Sequence, residues 1–143
     1  LSLLTVILGH TLLCLPYTIA ILTTAFNALD QSLEEAAYDL GETRFGAFRL
    51  VILPMVMPGI ISSLLMSFTV SLDEFIIAFF LAGAQPTLPT YIFSQLRFPS
   101  SVPVIMALGT MLVALSVVLL ALAEFFRRRG AARTGQNNSG GLL

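Results

Sequence analysis

Three long apolar runs alternate with polar segments along the chain. These three apolar runs, 1–29, 50–72 and 98–123, contain no Asp, Glu, Lys or Arg. A hydrocarbon core about 30 Å thick needs roughly 20 helical residues to cross it. The pattern therefore predicts an all-α membrane protein with three transmembrane helices. We expect them at about 3–26, 54–73 and 102–124.

Composition agrees with a membrane location. The chain is 57% hydrophobic and 10% charged, and its mean hydropathy is +0.93. A net charge of −1 leaves no basic stripe for phosphates, which argues against a nucleic-acid partner. One Cys and one His give no ground for a cofactor or a metal site, and His10 is expected to make an interhelical hydrogen bond.

The distribution of arginine predicts the orientation. One Arg, Arg97, lies between the second and third runs. The other six lie between the first two runs or after the third: Arg44, Arg49, Arg127, Arg128, Arg129 and Arg133. Cytoplasmic segments are enriched in Arg and Lys, so the first connection and the C-terminus are predicted to be cytoplasmic. Residues 1–129 then form the transmembrane domain, and the Gly-, Asn- and Ser-rich segment 130–143 is predicted to be a disordered tail.

The connection between the first two runs is predicted to contain a short helix, assigned to 32–41. Ser32 followed by Glu35 fits a capping box, which starts a helix near Leu33. Gly41 is placed to end it in a left-handed conformation. Four of the eight acids in the chain lie here within nine positions: Glu34, Glu35, Asp39 and Glu42. On these residues alone, the helix either lies on the membrane surface or docks onto a partner in the water.

After this helix, Thr43 is expected to cap a second short helix that stops near Pro54. The whole segment carries a spaced motif. Its fixed positions are Glu35-Ala36-Ala37, Gly41, Val51 and Leu53-Pro54. This motif resembles the EAA signature of ABC importer permeases, EAA-x3-G-x9-I-x-LP, with Val51 in place of Ile.

Other segments are similar to the second permease subunit of spermidine/putrescine-type importers. They are Gly9-His10-Thr11, Leu15-Pro16-Tyr17, Ser71-Leu72-Asp73-Glu74-Phe75 and Leu88-Pro89. The resemblance implies spans four to six of a six-span permease in a bacterial inner membrane, so we expect a fragment, the C-terminal half. It also implies an ATP-binding subunit, a second permease subunit and a periplasmic solute-binding protein as partners, and a polyamine or related amine as substrate.

The resemblance further implies that the short helix is a coupling helix, which inserts into a groove of the ATP-binding subunit. Ala36 and Ala37 would permit close approach, and Glu35 would make polar contacts or cap the helix. Gly41 would supply the turn, and Leu53-Pro54 the bend into the next span. The sequence contains no G-x-x-x-x-G-K-[ST], so the chain is not expected to be an enzyme, and ATP hydrolysis is expected in the partner.

Asp73 and Glu74 are candidates for the substrate pathway. They follow 23 uncharged residues and precede the apolar run 75–81. Acids within a membrane usually face a cavity or a partner. The alternative is that the second span ends here and both acids face external water. Asp73 is favoured for the pathway because it continues a predicted stripe with Ser63, Ser67 and Val70.

Two other functions use the same acids. Half of an ion-coupled secondary transporter would use Asp73 or Glu74 as a coupling carboxylate, but it has no need of an ATPase-docking helix. An intramembrane aspartyl protease needs two acids that converge from different segments, and only one adjacent pair lies at membrane depth.

Overall fold

The computed structural model describes residues 2–133, with side chains described as far as residue 130. Over this range the chain is all-α, as predicted. The helices are α1 (Leu3–Asn27), α2 (Gln31–Asp39), α3 (Arg44–Ala47), α4 (Leu53–Asp73), α5 (Ile76–Leu81), α6 (Leu88–Gln95) and α7 (Val102–Arg133). A π-helical turn, Phe48–Ile52, joins α3 to α4, and a 3₁₀ turn, Pro99–Ser101, precedes α7.

Within the part of the chain that the structure describes, three helical stretches are long and apolar enough to cross a membrane: Leu3–Asn27, Arg44–Asp73 and Pro99–Gly130. The third is longer than predicted, because α7 continues to Arg133. The predicted disordered tail is therefore helical at 130–133. This extension is reasonable, since Ala and Arg are strong helix formers. The rest of the tail, 134–143, lies outside the described residues.

Helix α4 lies between α1 and α7 and packs on both. Small residues permit this packing. A Cβ atom at Gly59 would lie 2.6 Å from Ala25 Cβ on α1. On the other side, a Cβ atom at Gly130 would lie 3.3 Å from Pro58 Cβ. In lipid, helix association depends on such close approach rather than on a hydrophobic driving force.

Polar side chains join α1 to α4 within this apolar layer. His10 Nδ1 and Ser71 Oγ share a hydrogen bond of 2.8 Å, which confirms the predicted interhelical bond of His10. Thr18 Oγ1 and Ser67 Oγ lie 2.8 Å apart, and Cys14 Sγ donates to the Ser67 carbonyl at 3.3 Å. Each such bond contributes about 0.6 kcal/mol on average in a membrane, and together they fix the register of the two helices.

The second span begins earlier than the apolar run indicates. The prediction of a helix that stops near Pro54 is wrong, because the chain stays helical from Arg44 to Asp73. A proline ring at 54 would meet the carbonyl of Leu50 in a regular α-helix. Here the preceding turn is a wider π turn, in which the Leu53 N–H bonds to the Phe48 carbonyl, five residues back. This turn accommodates the proline without ending the helix.

The same span is interrupted at its other end. Helix α4 ends at Asp73, the last residue of the predicted second span, and Glu74 is extended. Glu74 Oε1 then accepts a hydrogen bond of 3.0 Å from the Ile77 N–H in the first turn of α5. Helix α5 continues alongside α1, where Thr5 Oγ1 donates to the Leu81 carbonyl at 3.1 Å. The two acids thus lie at a break between two helical pieces.

Candidate functional site

The first connection, 28–52, forms a small folded unit that begins with a cap at Asp30. Asp30 Oδ1 accepts a hydrogen bond of 2.9 Å from the Ser32 N–H, and helix α2 starts at Gln31. The predicted cap at Ser32, with its box to Glu35, is therefore wrong. Asp is among the strongest N-cap residues, and Asp30 stands two residues before Ser32. Hydrogen bonding by Ser32 lowers the pKa of the Asp30 carboxyl.

Helix α2 ends at a left-handed glycine, as predicted. Gly41 has a φ of 88°. Its N–H bonds to the Tyr38 carbonyl at 2.9 Å, and the Glu42 N–H bonds to the Ala37 carbonyl at 3.1 Å. This pair of bonds is the Schellman motif, which satisfies the last carbonyls of a helix. A Cβ atom at Gly41 would meet nothing within 4 Å, so the backbone conformation alone requires glycine there.

The chain then turns directly into α3. Thr43 Oγ1 accepts a hydrogen bond of 3.1 Å from the Gly46 N–H, which confirms Thr43 as the cap of this helix. Ala47 is fully buried, and α2 packs against both α3 and the π turn. No flexible linker separates α2 from α4. Because every junction is capped or helical, the connection is firmly attached to the second span.

The structure separates the two alanines of the motif. Ala37 is 6% exposed and faces the interior of the connection, whereas Ala36 and Glu35 are exposed. The expectation that both alanines face a partner is therefore corrected for Ala37. Adjacent residues on a helix point about 100° apart, so Ala36 and Ala37 cannot share one face fully. Ala36 and Glu35 remain available for contact with another protein.

Two large apolar side chains next to Gly41 are almost fully exposed. Leu40 is 86% exposed and Phe45 is 73% exposed. The sequence does not signal this exposure, because helical spacing alone would place Leu40, three residues after the buried Ala37, on the same face. Helix α2 ends at Asp39, and the Leu40 side chain that follows is exposed to solvent. Exposed apolar side chains beside the acids of α2 are typical of a contact surface.

Nearby, the Tyr38 hydroxyl donates a hydrogen bond of 2.6 Å to Glu34 Oε1. This bond raises the pKa of Tyr38. It also fixes the Glu34 side chain along α2, one helical turn before Tyr38.

Leu53 and Pro54 lie at the start of α4, beyond the π turn. Leu53 is half-buried and Pro54 is exposed. Both line a groove of about 400 Å³ whose other wall includes Phe126 and Arg129 of α7. They therefore shape the junction between the connection and the second span.

Asp73 and Glu74 point to different helices. Ser116 of α7, a buried residue, donates a hydrogen bond of 3.0 Å to Asp73 Oδ1, whereas Glu74 caps α5. Asp73 is exposed and Glu74 is half-buried. The predicted stripe does not hold as one face, because Ser67 bonds to α1 while Asp73 bonds to α7. Within 2–133, no group of three or more His, Cys, Asp or Glu is arranged to hold a metal ion.

Comparison with known proteins identifies the family. Residues 1–131 match the family described as binding-protein-dependent transport system inner membrane component. The putrescine transport system permease protein PotI of Escherichia coli K12 is 40% identical over 140 residues, which cover 92% of this chain and 50% of PotI. The spermidine/putrescine transport system permease protein PotC of Haemophilus influenzae is 35% identical over 124 residues, which cover 86% of this chain and 48% of PotC.

A third relative is named for the transport of a different solute, molybdenum. The molybdenum transport system permease protein ModB of Haemophilus influenzae is 28% identical over 136 residues, which cover 92% of this chain and 59% of ModB. No solved structure matches the chain significantly. The chain spans about half the length of PotI and PotC. It is a multi-pass membrane protein, and it belongs to the family of binding-protein-dependent transport system inner membrane components.

Proposed function

We propose that the chain is part of the permease subunit of an ATP-driven importer and that α2 docks onto the ATP-binding subunit. The observation that carries this proposal is the surface formed by Glu35, Ala36, Leu40 and Phe45. Glu35 and Ala36 lie on α2, Leu40 follows its last residue, and Phe45 lies on α3; all four side chains are exposed. A surface of this kind is suited to a groove on another protein.

The proposed mechanism follows from the attachment of α2. When the ATP-binding subunits close, α2 moves with its groove. The buried Ala47, the Thr43 cap and the π turn transmit that movement to α4, because no flexible segment absorbs it. Ala37 fixes α2 on the unit, Gly41 gives the turn, and Leu53-Pro54 sets the bend. ATP hydrolysis occurs in the partner, and nucleotide biases the two positions of the spans.

The setting of this subunit is a bacterial inner membrane. The distribution of Arg supports a cytoplasmic location for α2 and for the end of α7. The complete transporter contains a second permease subunit and takes its solute from a periplasmic binding protein. Half of an ion-coupled secondary transporter is disfavoured, because the family depends on binding proteins and a secondary carrier has no use for the α2 surface.

The proposed substrate is a polyamine or a related amine, and Asp73 and Glu74 lie on its pathway. PotI and PotC are named for putrescine and spermidine. ModB is named for molybdenum transport, so the choice of an amine rests also on the two carboxylates. A cation that leaves water needs negative charge to offset its lost hydration, and these acids supply it at the helix break.

The coupling proposal is tested with Ala36→Trp in the full-length permease, co-expressed with its ATP-binding subunit. Ala36 is exposed, so the substitution leaves the connection folded but blocks close approach. We expect co-purification of the ATP-binding subunit to fall roughly tenfold, as overpacking of a contact costs 1–3 kcal/mol. The control is Gln31→Trp, which places the same side chain at another exposed position of α2. Wild-type co-purification and uptake with Ala36→Trp would overturn the proposal.

A further inference from the structure

The groove between the start of α4 and the end of α7 combines an apolar surface with one cation. Its volume is about 400 Å³. Apolar side chains of both helices form its walls, among them Met57, Ile61 and Phe126. Within the described part of the chain, Arg129 is the one charged residue that lines it. A ligand that fills this groove therefore needs an apolar part and a group that binds a guanidinium.

Arg129 lies level with the end of the first span. A Cβ atom at Gly59 of α4 would lie 2.6 Å from Ala25 Cβ, two residues before α1 ends. The neighbouring Pro58 Cβ lies 3.3 Å from the Cβ position of Gly130, the residue after Arg129. Helix α1 has 25 residues. Its length of about 37 Å exceeds a hydrocarbon core of about 30 Å, so its ends reach the lipid headgroups. Arg129 is therefore at headgroup depth.

Arg129 lacks the carboxylate partner that its neighbours have. Arg127 Nε and Arg128 Nε each lie 2.7 Å from a carboxylate oxygen of Glu124. Among the side chains that the structure describes, none pairs a carboxylate with Arg129, whose Cζ lies 4.4 Å from the centroid of the Phe125 ring. This cation–π contact holds the guanidinium without neutralising it. An anion is therefore the complementary partner.

The shape of the groove indicates which kind of anion fits. Ile61 and Phe126 are each three residues, about one helical turn, deeper in the span than Pro58 and Arg129. The groove thus leads from headgroup depth towards the hydrocarbon. A guanidinium binds phosphate through two parallel hydrogen bonds, and basic sites between transmembrane helices suit anionic headgroups. A free phosphate would leave the apolar walls uncovered, whereas a phospholipid covers them with an acyl chain.

We propose that this groove binds one anionic phospholipid of the cytoplasmic leaflet. Its phosphate bonds to the Arg129 guanidinium, and an acyl chain lies along Ile61 and Phe126. The lipid contacts α4 just beyond the π turn, so it lies against the helix that receives the movement of α2. This inference rests on the proposed orientation and importer function, and it adds a lipid site to them.

The test uses the full-length permease with its ATP-binding subunit and partner permease. The complex is reconstituted into phosphatidylcholine vesicles that contain a small fraction of phosphatidylglycerol with a diazirine on its acyl chain. After photolysis, mass spectrometry should find crosslinks at Met57, Ile61 or Phe126. Excess unlabelled phosphatidylglycerol should lower their yield at least about fivefold more than excess phosphatidylcholine does, because the site requires a net negative headgroup.

The charge at the site is tested with Arg129→Gln and its matched control Arg128→Gln. Both remove one exposed guanidinium from the same helix end, but Arg128 is paired with Glu124 and does not line the groove. We expect Arg129→Gln to lower the crosslinking yield about tenfold, and Arg128→Gln at most about threefold. Membrane insertion and co-purification of the ATP-binding subunit should stay within about twofold of wild type for both. Equal losses of crosslinking would show general attraction to a basic helix end and would overturn the inference.

The acyl chain is tested by filling the groove. Met57 and Leu64 are both exposed on α4, but only Met57 lines this groove. Met57→Trp should lower the crosslinking yield at Phe126 several-fold, because the indole occupies the space of the chain. Leu64→Trp should leave that yield unchanged. An unchanged yield with Met57→Trp would show that no acyl chain lies in the groove.

The outcomes separate this inference from the importer proposal. If the wild-type complex forms no crosslink at the groove, another helix of the transporter covers it, and the lipid site is wrong. The importer proposal then stands, provided that the ATP-binding subunit still requires the α2 surface. If crosslinks form at the groove but Ala36→Trp binds the ATP-binding subunit like wild type, the coupling proposal fails and the lipid site stands.

Discussion

The connection between the first two spans and the break at Asp73 are both interruptions of a helix, but they are fixed in different ways. In the connection, Asp30, Gly41 and Thr43 make hydrogen bonds to residues at most four positions away. At the break, Asp73 is held by Ser116, which is 43 positions away. The first interruption is encoded locally, and the second depends on how α4 packs against α7.

This difference explains what the sequence could predict. The helix end at Gly41 and the cap at Thr43 were predictable, because each follows from one residue type and its neighbours. The cap at Asp30 was misassigned by two residues, since Ser32 satisfied the same pattern. At the second interruption, the sequence marks the two acids, Asp73 and Glu74, but not the bond from Ser116 to Asp73.

Two of the features that sequence reasoning missed require tertiary contacts. The inward position of Ala37 depends on packing against α3 and the π turn. The separation of Ser67 from Asp73 depends on α4 lying between α1 and α7. Pro54 suggested a stop, but the π turn preserved the helix. No local signal reports these arrangements. They define the proposed surfaces more than the motif itself does.

The two interruptions are predicted to lie on opposite sides of the bilayer, and cysteine labelling should give the largest effect of the experiments below. In a Cys14→Ser background of the full-length permease, we place single cysteines at Glu42, on the α2 side, and at Gln85, between α5 and α6. Both positions are exposed. In intact cells, an impermeant thiol reagent should label Gln85→Cys and not Glu42→Cys if, as we propose, the Arg-rich side is cytoplasmic.

Disrupted cells provide the control for that experiment. Both cysteines should react once the membrane is opened, which shows that each is accessible. Labelling of both positions in intact cells, or of Glu42→Cys alone, would contradict the proposed orientation.

A second prediction concerns the conformation at Gly41. Gly41→Val should weaken the end of α2 by about 1–2 kcal/mol, because a β-branched residue resists a positive φ. Gly41→Asn should be much milder, since Asn tolerates this conformation. Space is open there, so the contrast reports the backbone alone.

Co-purification with the ATP-binding subunit measures the result for the Gly41 variants. We expect a loss of binding with Gly41→Val, recovery with Gly41→Asn, and equal membrane insertion for both. Equal binding by the two variants would show that the left-handed turn does not position the α2 surface.

The smallest effect is expected at the cap of α2. Asp30→Ala removes the acceptor for the Ser32 N–H, so hydrogen exchange in the first turn of α2 should become a few-fold faster, while Asp30→Asn keeps a cap.

The pH dependence of the Asp30 cap has a defined sign. Because the folded pKa of Asp30 is lowered, the ionised cap stabilises α2 above the ordinary Asp pKa and loses this effect as the pH falls through the lowered value. The measured difference between the wild type and Asp30→Asn should therefore be present near neutral pH and vanish in acid. A difference that persists unchanged below the lowered pKa would show that the charge of Asp30 contributes nothing to the helix. In that case the boundary of α2 depends on packing, as the boundary at Asp73 does.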